Sequence, residues 1–206
     1  MQNQHTGHFL FPPMSPRFND DAVAEIVAAD ARQASPAQMK ELYVKRNTFN
    51  VGLDEPVYRI VELRYFFEDL NGCYLTYTKI DKSKWGDSSE NPMLNRPFPD
   101  PVTGLHLTLN GLVEKVYGSC WSSTPFDDPD QWAIFSRSQP SVRIQSTPRK
   151  LLTTAMHLGN SDYMHQHVMG RMEYGTDAQI EAYFADQNWQ KHLDSLGQGI
   201  VASFSA

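Results

Sequence analysis

The stretch Val57-Tyr58-Arg59-Ile60-Val61-Glu62-Leu63-Arg64-Tyr65-Phe66-Phe67-Glu68-Asp69-Leu70-Asn71-Gly72 changes its period partway along. Residues 57 to 61 are β-branched or aromatic apart from one arginine, which suits a pleated surface and predicts a strand. From Leu63 the apolar residues Leu63, Phe66, Phe67 and Leu70 recur at helical spacing, and Asn71-Gly72 offers the left-handed conformation that stops a helix. Strand passes directly into helix. The rest of the chain mixes strands and short helices in the same way, without a regular βαβ alternation, so the fold class is α+β: a central mixed or antiparallel sheet, short helices and an α-helical N-terminal extension.

Toward the N-terminus the pattern is helical. Asp20 or Asp21 can cap a segment whose stripe is Val23, Ile26 and Val27, and Ser35-Pro36 restarts a helix bearing Met39, Leu42 and Tyr43. Residues 1 to 19, with three prolines, read as an extended arm. The organisation expected is an arm and helical extension over 1–52 and a core domain over 53–206. Toward the C-terminus, Cys73 to Thr78 alternates as a strand, and so does the run from Val116 to Ser123. Asp128-Pro129 opens a short helix with Trp132, Ile134 and Phe135, Val142 to Ile144 is a strand, and Thr147-Pro148 caps a helix with Leu151, Leu152, Ala155 and Met156 inward. Tyr163 to Tyr174 alternates as a long strand, and Thr176 caps a last helix.

The 206 residues suffice for a real core, and 40% apolar with 20% charged is a globular balance. A net charge of −6 speaks against broad binding to nucleic acid or to an anionic membrane. The apolar runs are far shorter than the roughly 20 residues that span a bilayer, so a soluble, cytoplasmic protein is expected. Cys73 and Cys120 sit in strand-like runs and not in a Cys-x-x-Cys pair, which predicts reduced thiols in the core.

Chemistry concentrates in the loop Ser83-Lys84-Trp85-Gly86-Asp87-Ser88-Ser89-Glu90-Asn91-Pro92, where an aromatic, two carboxylates and several hydroxyls share ten residues. Turn formation alone would select most of them, with Trp85 as a plug. Asp87 and Glu90 suit general acid–base work if they share a cleft. Arg59, alone in an apolar strand, must be paired with a carboxylate such as Glu55, Glu62 or Asp87, or must face an anion. Arg143 carries the same ambiguity. Ser122 suits a ligand hydroxyl or phosphate, and Trp132 is either core or a stacking surface. His165 and His167 share a strand face but lack further ligands at suggestive spacing, so no metal is assigned. Gly-rich phosphate loops and hydrolase signatures are absent.

Taken together, the Tyr58-Arg59 strand with its helix, the Ser83 to Asn91 loop, Cys120-Trp121-Ser122, Gln131 to Ser136 and Val142 to Thr147 resemble a widespread bacterial and phage family of unknown function, over about residues 56 to 175. The layout of a strand arginine, a Ser/Thr-bearing strand and an acidic residue resembles ADP-ribosyltransferases more distantly. Members of the family carry a Lys-Arg and Glu-x-Glu-like stretch after the last helix, where this chain ends on Ser203-Phe204-Ser205-Ala206. The resemblance implies a nucleotide- or NAD-binding effector domain, with NAD as cofactor, Glu90 and Arg59 as catalytic residues, and Trp85, Asp87, Ser122, Trp132 and Arg143 as ligand contacts. The alternative is a non-catalytic phage or mobile-element protein that binds and inhibits a host protein.

Overall fold

The computed structural model describes residues 20–79, 98–99, 104, 106–107, 117–157, 167–172, 176, 178–179 and 182. In chain order these form helices α1 (Asp20–Ala31), α2 (Pro36–Arg46), α3 (Leu63–Gly72), α4 (Pro129–Ser136) and α5 (Pro148–Ala155). The strands are β1 (Thr48–Phe49), β2 (Val57–Glu62), β3 (Thr78–Lys79), β4 (Phe98–Pro99), β5 (His106–Leu107), β6 (Tyr117–Gly118), β7 (Ser141–Ser146) and β8 (Met169–Gly170). Helices and strands are mixed, and the class is α+β. Among the described residues the strands pair two by two, β1 with β8, β2 with β7, β3 with β6 and β4 with β5. The chain divides into two compact units, Met1–Leu53 with Leu152–Ser205, and Asp54–Leu151.

In the first unit α1 packs on α2. Ser35 opens α2 with a reciprocal cap: its Oγ accepts from the Gln38 amide, its own amide donates to Gln38 Oε1 at 3.0 Å, and Pro36 fills the first helical position. The buried positions of α1 are Ala22 and Ala29, two turns apart, whereas Val27 is 64% exposed. The expected stripe of Val23, Ile26 and Val27 is therefore rotated, because small residues let a neighbouring helix approach closely. Val44, Leu152 and Met156 form the core, ringed by Tyr43, Leu53 and Met169. Each fully buried aliphatic side chain contributes about 1.5–3 kcal/mol.

Asn47, fully buried, joins the end of α2 to β8. Its amide donates to the Tyr43 carbonyl (2.9 Å), its carbonyl accepts from the Met169 amide (2.9 Å) and its Nδ2 donates to the His167 carbonyl (2.9 Å). Parallel pairing of Thr48 with Met169 and Phe49 with Gly170 follows. Where one long strand was expected from Tyr163 to Tyr174, the strand among the described residues is the two-residue β8.

In the second unit β2 runs antiparallel to β7 over six pairs, from Val57 opposite Ser146 to Glu62 opposite Ser141. On its other edge Tyr58 and Ser122 exchange both backbone hydrogen bonds, at 2.8 and 2.7 Å. β2 thus lies between two partners, and Val57 and Val61 are buried. α3 follows β2 without a linker and packs on it, as does α4, whose first turn is capped by Asp128 with Pro129 behind it. Arg149 grips Asp54 in a two-pronged ion pair, 2.8 and 3.0 Å.

Two expectations about this unit are corrected. α3 ends in a left-handed residue, but that residue is Cys73 (φ 53°), with Gly72 still helical. A β-carbon on Gly72 would overlap the ring of Tyr74, so the glycine serves a close approach and the turn falls one residue later. In consequence the strand predicted over Cys73–Thr78 begins only at Thr78. Cys73 and Cys120 form no disulfide, as expected, but both are exposed and neither is core.

Candidate functional site

Side chains of paired antiparallel residues share a face, and neighbours along a strand alternate. The register of β2 and β7 therefore puts Val57, Arg59, Val61, Val142 and Ile144 on one face, and Tyr58, Ile60, Arg143 and Gln145 on the other. Ser122, paired with Tyr58, goes with the second set. The two candidate arginines lie on opposite faces of one ribbon.

On the Tyr58 face, Arg143 is fully engaged. Its guanidinium stacks on the Tyr58 ring at 3.9 Å, a diagonal cross-strand contact, and donates to the carbonyls of Thr124 (2.5 Å) and Pro125 (3.4 Å). Asp127 lies 3.5 Å from Arg143 Nη1 and also accepts from Trp132 Nε1 at 3.4 Å. The Ser122 hydroxyl accepts from the Thr124 amide at 3.0 Å, closing a tight turn. Ser122, Trp132 and Arg143 thus come together, and what they hold is the Thr124–Asp128 segment.

On the other face Arg59 sits between the two buried valines. Its Nη1 donates to the Thr76 carbonyl at 3.2 Å, the one hydrogen bond its guanidinium makes among the described residues. Burial pulls its pKa down, and the negative potential of Asp69, then of Cys120 and Tyr77, opposes that shift. The guanidinium stays charged at neutral pH. Tyr77 is 39% exposed, and the partial burial of its phenol raises its pKa, with Arg59 opposing.

Asp69 does not neutralise Arg59 directly. Its two oxygens accept from Thr76, one from the hydroxyl at 2.5 Å and one from the amide at 3.2 Å. Thr76 is thus held at its nitrogen side by Asp69 and at its carbonyl by Arg59. Of the five N–H donors of the guanidinium, one is used here, which leaves the planar fork able to receive an oxyanion.

Asp69, Thr76 and Tyr77 were not among the residues singled out from the sequence, although one signal was available. A carboxylate in the last turn of a helix opposes the macrodipole, and α3 has no basic residue there to compensate. An acid in such a place needs donors, and Thr76 supplies them. Trp85, Asp87 and Glu90, like His165, lie outside the described residues. Burial and then His157 lower the pKa of His167. Among the described residues no three His, Cys, Asp or Glu side chains are grouped to hold a metal, and no helix is long and apolar enough to cross a membrane. No protein-family model, curated protein or solved structure matches the chain.

Proposed function

We propose that the chain is a nucleotide- or NAD-binding effector domain of bacterial or phage origin that receives a phosphate of its ligand on Arg59. The observation that carries this reading is the Arg59 guanidinium, set in an apolar face with a single carbonyl acceptor among the described residues, while the oxygens of Asp69 are occupied by Thr76. A half-buried guanidinium has lost part of its water, and a phosphate oxygen fits the remaining donors. In this reading Ser122, Trp132 and Arg143 maintain the opposite face, and stacking on a ligand ring falls to Trp85. The finer form is ADP-ribosyl transfer from NAD, with Glu90 polarising the reacting hydroxyl and Asp87 contacting the ligand.

A second reading, a non-catalytic protein that binds a host protein, is favoured by the apolar side chains left in solvent. Leu70 on α3 is 59% exposed and Ile134 on α4 65%, with Phe67, Phe126 and Phe135 also exposed.

Thermal denaturation with NAD, ADP-ribose and ATP, on the wild type and on Arg59→Ala, decides between them. A ligand that binds only the folded state raises Tm by mass action, by about 2.7 kcal/mol of stability at a hundredfold excess over Kd. The expected outcome is a dose-dependent rise with NAD or ADP-ribose that vanishes in Arg59→Ala. A cooperative melt unmoved by all three at millimolar concentration gives the protein-binding reading precedence.

A further inference from the structure

We infer that Asp69 is the residue that sets the charge preference of the Arg59 site, restricting it to singly charged oxyanions, a phosphodiester or a carboxylate, over phosphate dianions. This rests on the reading that Arg59 receives an anion, and goes beyond it to the ionic form of the group received.

The geometry is a shared residue. Arg59 is bound to the carbonyl of Thr76, and Asp69 to the amide and hydroxyl of the same residue, so the two charges are tied to either side of one residue. Because the Asp69 oxygens are engaged by the neutral donors of Thr76, Asp69 does not form an ion pair that would cover the guanidinium. The first negative charge of a ligand meets Arg59. A second meets Asp69.

Among the described residues other cations do not redress the balance. Arg64 is paired with Glu62 at 2.8 Å and lies over the Tyr65 ring, and Arg143 is on the opposite face of the ribbon. Lys79 follows Thr76 by three residues but is exposed, where water and salt screen it. Asp69 favours the charged form of Arg59 more than Cys120 or Tyr77 does.

Cyclic AMP and AMP test the idea, since they share base and sugar and differ in carrying a phosphodiester monoanion or a phosphate that is largely dianionic at pH 7.5. Affinities for both, with benzoate as the carboxylate arm, are measured on wild type, Asp69→Asn, Asp69→Glu, Thr76→Val and Arg59→Ala, each checked for a cooperative melt. The wild type is expected to bind cyclic AMP more tightly than AMP. Asp69→Asn is expected to shift that ratio about three- to tenfold toward AMP, the scale of one screened charge at this range. Asp69→Glu and Thr76→Val, which keep the charge, should keep the wild-type ratio. Binding of benzoate with the same dependence on Arg59 identifies any singly charged oxyanion as sufficient, and its failure narrows the ligand to a phosphodiester.

A ratio unmoved by Asp69→Asn, or moved equally by Thr76→Val, overturns the charge filter while leaving Arg59 as an anion site. Absence of binding by every probe, or binding indifferent to Arg59→Ala, overturns the anion site itself and the filter with it.

Discussion

Arg59 and Arg143 look alike in the sequence, each a guanidinium between apolar neighbours, and the pleat separates them. Arg143 spends its fork on two loop carbonyls, an aspartate and the face of Tyr58. A lysine has neither the planar fork nor the stacking surface, so Arg143→Lys is expected to destabilise the protein by about 1–3 kcal/mol, read as a lowered urea midpoint at unchanged slope. Ligand affinity at Arg59 should be unaffected in the molecules that remain folded. Which arginine was structural could not be read from Val57-Tyr58-Arg59-Ile60-Val61 or Val142-Arg143-Ile144 alone. Facing depends on register, register on pairing, and pairing joins residues 79 to 89 apart. Asp69, not singled out from the sequence, nevertheless carries a local signal, an acid against a helix dipole.

Element starts were more legible than element ends. Ser35-Pro36, Asp128-Pro129 and Thr147-Pro148 each open a helix where local chemistry demands it, since a cap and a fixed φ act within one turn. Among the described residues the strands are shorter than their alternation predicts, at Cys73–Thr78 and at 167–172, because alternation gives a strand's face but only a partner gives its extent. The junction of α2, β1 and β8 carries a consequence for pH. His167, whose carbonyl is held by Asn47, has its folded pKa pushed below the ordinary value near 6.5 by burial and by His157. The unfolded chain therefore takes up this proton first, and stability falls as pH drops from about 6.5 toward the folded value, then falls no further on this account. Urea midpoints at pH 7.5 and 5.0 should separate more in the wild type than in His167→Gln, which has no proton to take up. Equal separation in the two would remove His167 from the account.

For the molecule as a whole, an excess of negative charge sets what can approach it from a distance. With 24 acidic against 18 basic residues, a mixed RNA pool is expected to leave Tm unchanged at physiological salt, since a polyanion finds no field to draw it in and no run of cations to release its counterions. A Tm rise that disappears as salt is raised would contradict this. The α+β class was legible because both periods occur in the sequence. The division into units was not, since the first is assembled from two stretches separated by 98 residues, from Asp54 to Leu151. That nesting orders events at the ribosome. The stretch Asp54–Leu151 is synthesised before the second stretch of the outer unit, and Arg149, two residues before its end, closes on Asp54 at its start. The inner unit can clasp its own ends while the outer one still awaits Leu152 and Met156, so a ribosome stalled beyond that point would present the Arg59 face ahead of the Val44 core.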